Sequence, residues 1–567
     1  PRAPLARARG AANPRRIARV VVARVAIATR RRVRARANDR SSAFRARGDA
    51  RPTVASSRAT PRRRRRSASR FRRERRSRRA PRASIPRRRR PRGETARRSR
   101  AARSPAYFFN EKVMCALGAG LAESGKLNPD GSLRALSALR RFCTISKGIG
   151  LPTLTAVATA AVREASDGAD FIAQVQSETG LKIHVINGPE EARLAAQGVL
   201  LGWPGSYGLV CDIGGGSMEL AEIANGQVGQ RVTSPLGPLK LINVPGGKKG
   251  RKAVIAETLD RLRDQMGLQS DRLFLVGGSW RALARIDMHR RGYPLHVMHE
   301  YQMTAHDVKA TVSYIEDCDL ETLRQTIRVT QSRMALVPIA AQILKGLLKR
   351  FKPHDIAVSS YGIREGLLYE KMPQAMRDRD PLIESCHFAE RKDARLPGFG
   401  MRLHKFISPL FAKMPHNRAR LVRAACLLHD VSWRAHPDFR AEVCFEYATR
   451  ANLGGLSHEE RIFLGLALLH RYRNSREGTR FEVLFPLLDE AGQKQAEILG
   501  KAMRLGAMLW ADPDDETALL HWSAKTKTLS LTLTAEASPL FGEVAEARLK
   551  SLASSLNANL RTDMRLT

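Results

Sequence analysis

From Tyr107 onward, apolar positions recur with two different periods, and the switch between them marks out the elements. Helical spacing runs through residues 131–144 and 152–166, a strand is expected at 181–186, and a helix at 189–202 opens on Pro189, Glu190 and Glu191. A strand pair follows across 207–223, then a helix at 253–267, a strand at 273–276, a turn at Gly277-Gly278-Ser279 and a helix from Trp280. Helices at 305–317 and 332–350 lead to a strand at 356–359 and a helix that begins at Gly362. Strands alternating with helices predict stacked α/β layers. Between 372 and 400 the pattern dissolves into Pro, Gly and charge, as a linker does. Beyond it the chain reads as mainly helical, with a hairpin joining 519–525 to the strictly alternating 529–534 and a last amphipathic helix at 541–556.

Candidate chemistry begins inside the strand pair, at Asp212 to Leu220 (DIGGGSMEL). Gly214, Gly215 and Gly216 lack a Cβ, so backbone N–H groups can approach an anionic oxygen closely, and Ser217 adds a hydroxyl. Asp212 and Glu219 flank the bend with two hard oxygen donors suited to Mg²⁺, which keeps several waters and shares phosphate oxygens. A plain glycine-rich turn with an incidental Ser is the competing reading. No Lys-Ser/Thr pair follows, as a P-loop would require, and no G-x-G-x-x-G opens a helix.

Two further groups match a phosphate site. Glu190 and Glu191 lie at a helix start, where orphan N–H groups favour carboxylates; a Glu there would equally serve as a general base toward water. Arg163, in the run Thr159 to Arg163, offers a guanidinium fork that fits phosphate oxygens, or is an exposed helical arginine.

Charge alters the picture less than its total suggests. The formal net charge is +45, but residues 1–105 hold 39 Arg, no Lys and 4 acidic groups, so the rest of the chain carries only about +10. The arginine-rich segment cannot bury enough apolar area to offset chain entropy and is expected to be disordered. As a tail it would bind nucleic acid or another polyanion by counterion release. Its lack of Lys, its Pro1 start and the abrupt onset of ordinary composition near Tyr107 instead predict an out-of-frame or misjoined translation of G+C-rich DNA. The apolar run at 20–28, broken by Arg24, is too short to span a bilayer, and no membrane partner is expected. Seven scattered cysteines without a C-x-x-C pair fit a reducing, cytoplasmic setting. Basic stretches at 246–252 and at Lys345, Lys349, Arg350 and Lys352 would guide a polyanion or simply form solvated faces.

Taken in order, Phe108 to Lys112, Ala158 to Ala165, Asn187 to Arg193, Asp212 to Leu220, Val276 to Ser279 and Gly362 to Gly366 resemble the exopolyphosphatase and guanosine pentaphosphate phosphohydrolase (Ppx/GppA) family. That family is a branch of the actin, Hsp70 and sugar-kinase superfamily. The resemblance implies a catalytic base at Glu191, Mg²⁺-associated acids at Asp212 and Glu219, a phosphate-contacting turn at Gly214, Gly215, Gly216 and Ser217, and a phosphate-binding arginine at Arg163. It also implies in-line attack of water on a terminal phosphoryl group. The family's opening strand and Asp-x-Gly-Ser-Asn-Ser turn have no counterpart in residues 1–105. Leu427 to Asp430, with His404, His436, Asp438 and His470, looks like the HD phosphohydrolase pattern, read here as a degenerate, non-catalytic version.

The expected fold is α/β. Two actin/Hsp70-like (ribonuclease H-like) domains, the remainder of the first at 106–190 and the second at 191–372, precede a linker at 373–400 and a helical HD-like domain at 401–567. The expected activity is Mg²⁺-dependent release of terminal phosphate from inorganic polyphosphate. Guanosine pentaphosphate hydrolysis is the near alternative, and a polyanion- or nucleic-acid-binding protein with an inactive phosphatase core is the alternative from another class. Nucleic acid is a partner only if the basic arm is real, and a homodimer is expected from the resemblance alone.

Overall fold

A computed structural model describes the backbone of residues 24–26, Arg103, and residues 110–148, 154–267, 271–510 and 518–565. Apart from 24–26 and Arg103, the disorder expected for residues 1–105 lies outside the described residues. β1 (Arg24–Ala26) pairs antiparallel with β2 (Thr155–Ala158), which runs parallel to β3 (Ile183–Val185), in a three-stranded sheet. Part of 152–166 is therefore strand rather than helix, and the helix Ala160–Glu164 begins only after it. Thr155 to Ala158 is too short a run for its period to be told from helical spacing.

A six-stranded sheet follows, built from β4 (Gly208–Ile213), β5 (Met218–Ala224), β6 (Gln227–Ser234), β7 (Arg272–Gly277), β8 (Tyr301–Met303) and β9 (Asp355–Ser359), in the order β6-β5-β4-β7-β9-β8. β4, β7 and β9 are parallel neighbours, whereas β4, β5 and β6 form an antiparallel meander. The central strands are mostly apolar because both faces are covered, with Asp212 as the buried acid near the end of β4. Leu209, Cys211, Ile213, Leu273 and Leu275 enter one core, while Val210, Phe274, Val276 and Ala357 enter another on the opposite face.

The helix Gly188–Gly202 lies in that second core. Asn187 caps it, its side chain accepting from the Glu190 N–H at 2.9 Å, and Pro189 stands in the first turn. It crosses the helix Ile363–Glu370 at near backbone contact: a Cβ on Gly366 would stand 1.8 Å from the Leu194 carbonyl oxygen. The Gly362 to Gly366 motif thus fixes the helix that carries Glu191. Gly366→Ala is expected to cost about 1–3 kcal/mol through forced separation of the two helices, read as a lower midpoint in urea unfolding.

At the far end of the same helix Arg103 is fully buried. It donates to the carbonyls of Leu201 at 2.7 Å, Leu200 at 3.4 Å and Arg377 at 3.1 Å, and stacks over Tyr369. This residue of the arginine-rich segment is ordered by orphan carbonyls at a helix C-terminus, against the expectation of disorder.

The stretch expected as a linker is structured. Asp380 caps the helix Pro381–Asp393, whose Leu382, Ile383, Cys386 and Ala389 are buried in the same core as Leu403, Phe406 and Leu427. Glu384, Ser385, His387 and Phe388, which stand between these positions, hide their helical spacing in the sequence. The C-terminal region is helical as expected, and the hairpin of β10 (Ala518–Ser523) and β11 (Thr528–Thr534) is present. β12 (Asn559–Arg565), parallel to β11, had no strand signal. Among the described residues, no helix is long and apolar enough to cross a membrane.

Candidate active site

β4 and β5 place Asp212 directly opposite Glu219, at the mouth of the hairpin whose turn holds the glycines. The Gly214 N–H donates to the Ser217 carbonyl at 2.9 Å and closes the turn. A Cβ on Gly214 would meet nothing nearer than 3.4 Å, and one on Gly216 nothing nearer than 3.7 Å, so the turn has room beside it. Behind it the packing is tight. The Leu239 N–H donates to the Gly215 carbonyl at 2.9 Å, and a Cβ on Gly237 would lie 2.2 Å from the Gly216 carbonyl carbon.

Glu190 and Glu191, adjacent in sequence, separate completely. Glu190 forms an ion pair with Arg193 at 2.5 Å, which holds its carboxyl below the usual range, and Arg193 also reaches Glu370 at 2.6 Å. Glu191 turns inward and is only 4% exposed, with its Oε2 3.9 Å from Arg163 Nη1. Both carboxylates lie in the first turn of the helix; Glu190 is held at its surface by Arg193, and the inward carboxylate is Glu191. Arg163 is anchored by donating to the Ile186 carbonyl at 2.7 Å.

The three carboxylates interact. Burial pushes the Glu219 carboxyl well above its ordinary value, and the charges of Glu191 and Asp212 push it further. Its Oε1 accepts from the Thr233 hydroxyl at 3.1 Å, whereas its buried Oε2 has no hydrogen-bond partner among the described residues. A buried acceptor-only atom beside two like charges fits a hard divalent cation. Among the described residues no group of three or more His, Cys, Asp or Glu side chains forms a metal cage, so such a cation would draw its remaining ligands from water or substrate.

The sequence reading missed two cations. A Cβ on Gly278, at the end of β7, would meet Arg333 Nη2 at 3.0 Å, and one on neighbouring Gly277 would lie 3.1 Å from Asp212 Oδ1. Lys240 lies over the glycine turn, as described below. Neither belongs to a motif of its own, and only the return of the chain to the turn brings them there.

The HD-like pair is not built as a metal site. Asp430 is gripped by Arg395, with Nη2 at 2.6 Å and Nε at 3.0 Å, which holds its carboxyl low despite burial. The His429 Nδ1–H donates to the Cys426 carbonyl at 2.8 Å, and burial lowers the pKa of the ring to about 4. A guanidinium thus stands where a cation would bind. Arg395→Gln is expected to destabilise the C-terminal region by about 1 kcal/mol, below the range for buried charged hydrogen bonds because Arg395 is half exposed, whereas chelators leave its melting unchanged. A separate cavity of about 500 Å³ is lined by Trp203, Arg272, Glu300, Arg418 and Arg420 and includes none of the residues of the glycine turn.

Residues 98–375 match the Ppx/GppA phosphatase family, and residues 409–561 match the exopolyphosphatase C-terminal family. The chain belongs to the Ppx/GppA phosphatase family. It is 24% identical over 294 residues to exopolyphosphatase 1 of Mycobacterium tuberculosis, covering 50% of this chain and 85% of that protein. It is 25% identical over 380 residues to retrograde regulation protein 2 of Saccharomyces cerevisiae, covering 59% of this chain and 62% of the yeast protein, less than two thirds of its length. Among solved structures, the Aquifex aeolicus Ppx/GppA family member aligns at 24% identity with a TM-score of 0.41, over 46% of this chain and 87% of that one. An exopolyphosphatase from Cytophaga hutchinsonii aligns at 22% identity with a TM-score of 0.42, over 46% and 88%. The Ppx/GppA segment contains every motif from Phe108 to Gly366 on which the resemblance rested.

Proposed function

We propose that this chain is an exopolyphosphatase that releases terminal phosphate from inorganic polyphosphate. The observation that carries the reading is the inward, buried Glu191 beside Arg163, facing the Asp212 and Glu219 pair of the glycine turn. In this reading Glu191 orients the attacking water and takes its proton as the water oxygen bonds to the terminal phosphorus and the P–O bond to the shortened chain breaks, the chain leaving as an anion. Arg163 holds a phosphate oxygen through its fork, and the turn N–H groups with the Ser217 hydroxyl receive charge on the equatorial oxygens. A Mg²⁺ ion held by Asp212 and Glu219 would neutralise charge on the transferred group when bound.

The strand order of the six-stranded sheet, a three-strand meander followed by parallel strands, supports an actin-like second domain at 191–372. The smaller sheet supports the remainder of a first domain at 106–190. We place the protein in the reducing cytoplasm, a reading supported by seven cysteines that form no disulfide in the structure. In this reading phosphate contacts come from the Asp212 to Leu220 turn and from Arg163.

The test is a product assay with Mg²⁺ on polyphosphate and on guanosine pentaphosphate. Orthophosphate is expected from the polyphosphate chain end, with the higher kcat/KM on polyphosphate. A higher kcat/KM on the nucleotide would reassign the substrate, and release from neither would reject the reading.

A further inference from the structure

The backbone of the short helix Pro238–Leu241 is clipped to the glycine turn through the Leu239 to Gly215 hydrogen bond and the close approach of Gly237. Lys240 therefore cannot drift from the turn: its Cε lies 3.7 Å from where a Cβ on Gly216 would stand. Its ammonium is nevertheless taken by a carboxylate, Glu164 Oε2, at 2.9 Å. The other oxygen of that carboxylate lies 3.9 Å from Arg163 Nη2. Glu164 ends the helix after β2, in the smaller sheet's part of the chain, while Lys240 follows β6 of the larger sheet. One half-exposed carboxylate thus engages two cations at the mouth of a site read as binding an anion.

We propose that Lys240 is a phosphate-binding residue of this site, and that Glu164 is a built-in competitor which holds Lys240 and Arg163 until the substrate displaces it. The proposal rests on the reading of the glycine turn as a phosphate site and extends it to an unassigned pair of residues. Both side chains are partly solvated, 40% and 35% exposed, so their ion pair is weak and exchangeable. A polyphosphate segment presents several acceptor oxygens and a higher charge, and it replaces one carboxylate with better partners.

The experiment titrates tripolyphosphate into the full chain with Mg²⁺ by calorimetry, alongside turnover of long-chain polyphosphate. Lys240→Met is expected to weaken tripolyphosphate binding about tenfold and to raise KM more than it lowers kcat, and Lys240→Arg to restore most of both. Glu164→Gln is expected to tighten binding severalfold, a gain that shrinks when Lys240→Met is also present. Unchanged binding in Lys240→Met, or an equal gain from Glu164→Gln with and without Lys240, overturns the proposal. Lys240-dependent binding without turnover would reject the hydrolase reading and keep this one. Turnover with Lys240-independent binding would do the reverse.

Discussion

Glu191→Gln is expected to lower kcat for phosphate release by roughly 10²–10⁴-fold, the range spanned by loss of a general base. Folding is expected to survive, because the amide keeps the shape of a side chain that lies 4% exposed at the first turn of a well-capped helix. Removing its charge also relieves repulsion on Glu219, so the thermal midpoint should hold or rise. Glu190→Gln is the matched control. It breaks the ion pair with Arg193, which still has Glu370, and should change kcat by less than about threefold. Equal losses in the two variants would remove Glu191 from its assigned role.

Glu219→Gln is expected to separate activity from stability. The substitution removes one carboxylate of the facing pair, and kcat/KM should fall by about 10²–10³-fold, with a higher Mg²⁺ concentration needed for half-maximal rate. Stability should move the other way. The folded-state pKa of Glu219 is raised above its unfolded value near 4.5, so its contribution is fully present below that value and is lost as pH rises through the folded pKa. Without metal, the wild-type protein should therefore lose stability as pH climbs from about 4.5 toward neutrality, and Mg²⁺ should restore it. Glu219→Gln should abolish that slope and raise the neutral-pH Tm by about 2–4 °C per kcal/mol of relieved repulsion. Thermal melts across pH, with and without Mg²⁺, check both. A slope unchanged by the substitution would show that Glu219 is not the group responsible.

The active-site half of this chain was legible because its chemistry is local. Asp212 to Leu220 declares a strand, a bend and a returning strand within nine residues, and the structure places its two acids directly opposite each other. The β4, β7 and β9 strands were legible as apolar runs, since both of their faces are buried. What escaped was non-local. Whether Glu190 or Glu191 faces inward depends on Arg193 and Glu370, the latter contributed by a helix far along the chain. Lys240 comes to the turn, and Arg333 to Gly278 beside the strand end that pairs with Ile213, only through the return path of the backbone. The helix at Pro381–Asp393 was hidden because its apolar core positions Leu382, Ile383, Cys386 and Ala389 are mixed with a buried Glu390 and an exposed Phe388, which blurs the amphipathic pattern. Arg103 looked like one more arginine in a biased segment until Leu200, Leu201 and Arg377 supplied carbonyl partners.

In the proposed reaction, water activated by Glu191 attacks a terminal phosphoryl group held at the glycine turn. The direct measurement is polyphosphate hydrolysis in ¹⁸O-labelled water with Mg²⁺, following label in the released orthophosphate for the wild-type chain and for Glu191→Gln. One labelled oxygen per phosphate released is expected from the wild type, and almost no labelled phosphate from the variant. Intact polyphosphate with the wild type, or labelled phosphate released at equal rates by both proteins, would contradict the proposed reaction.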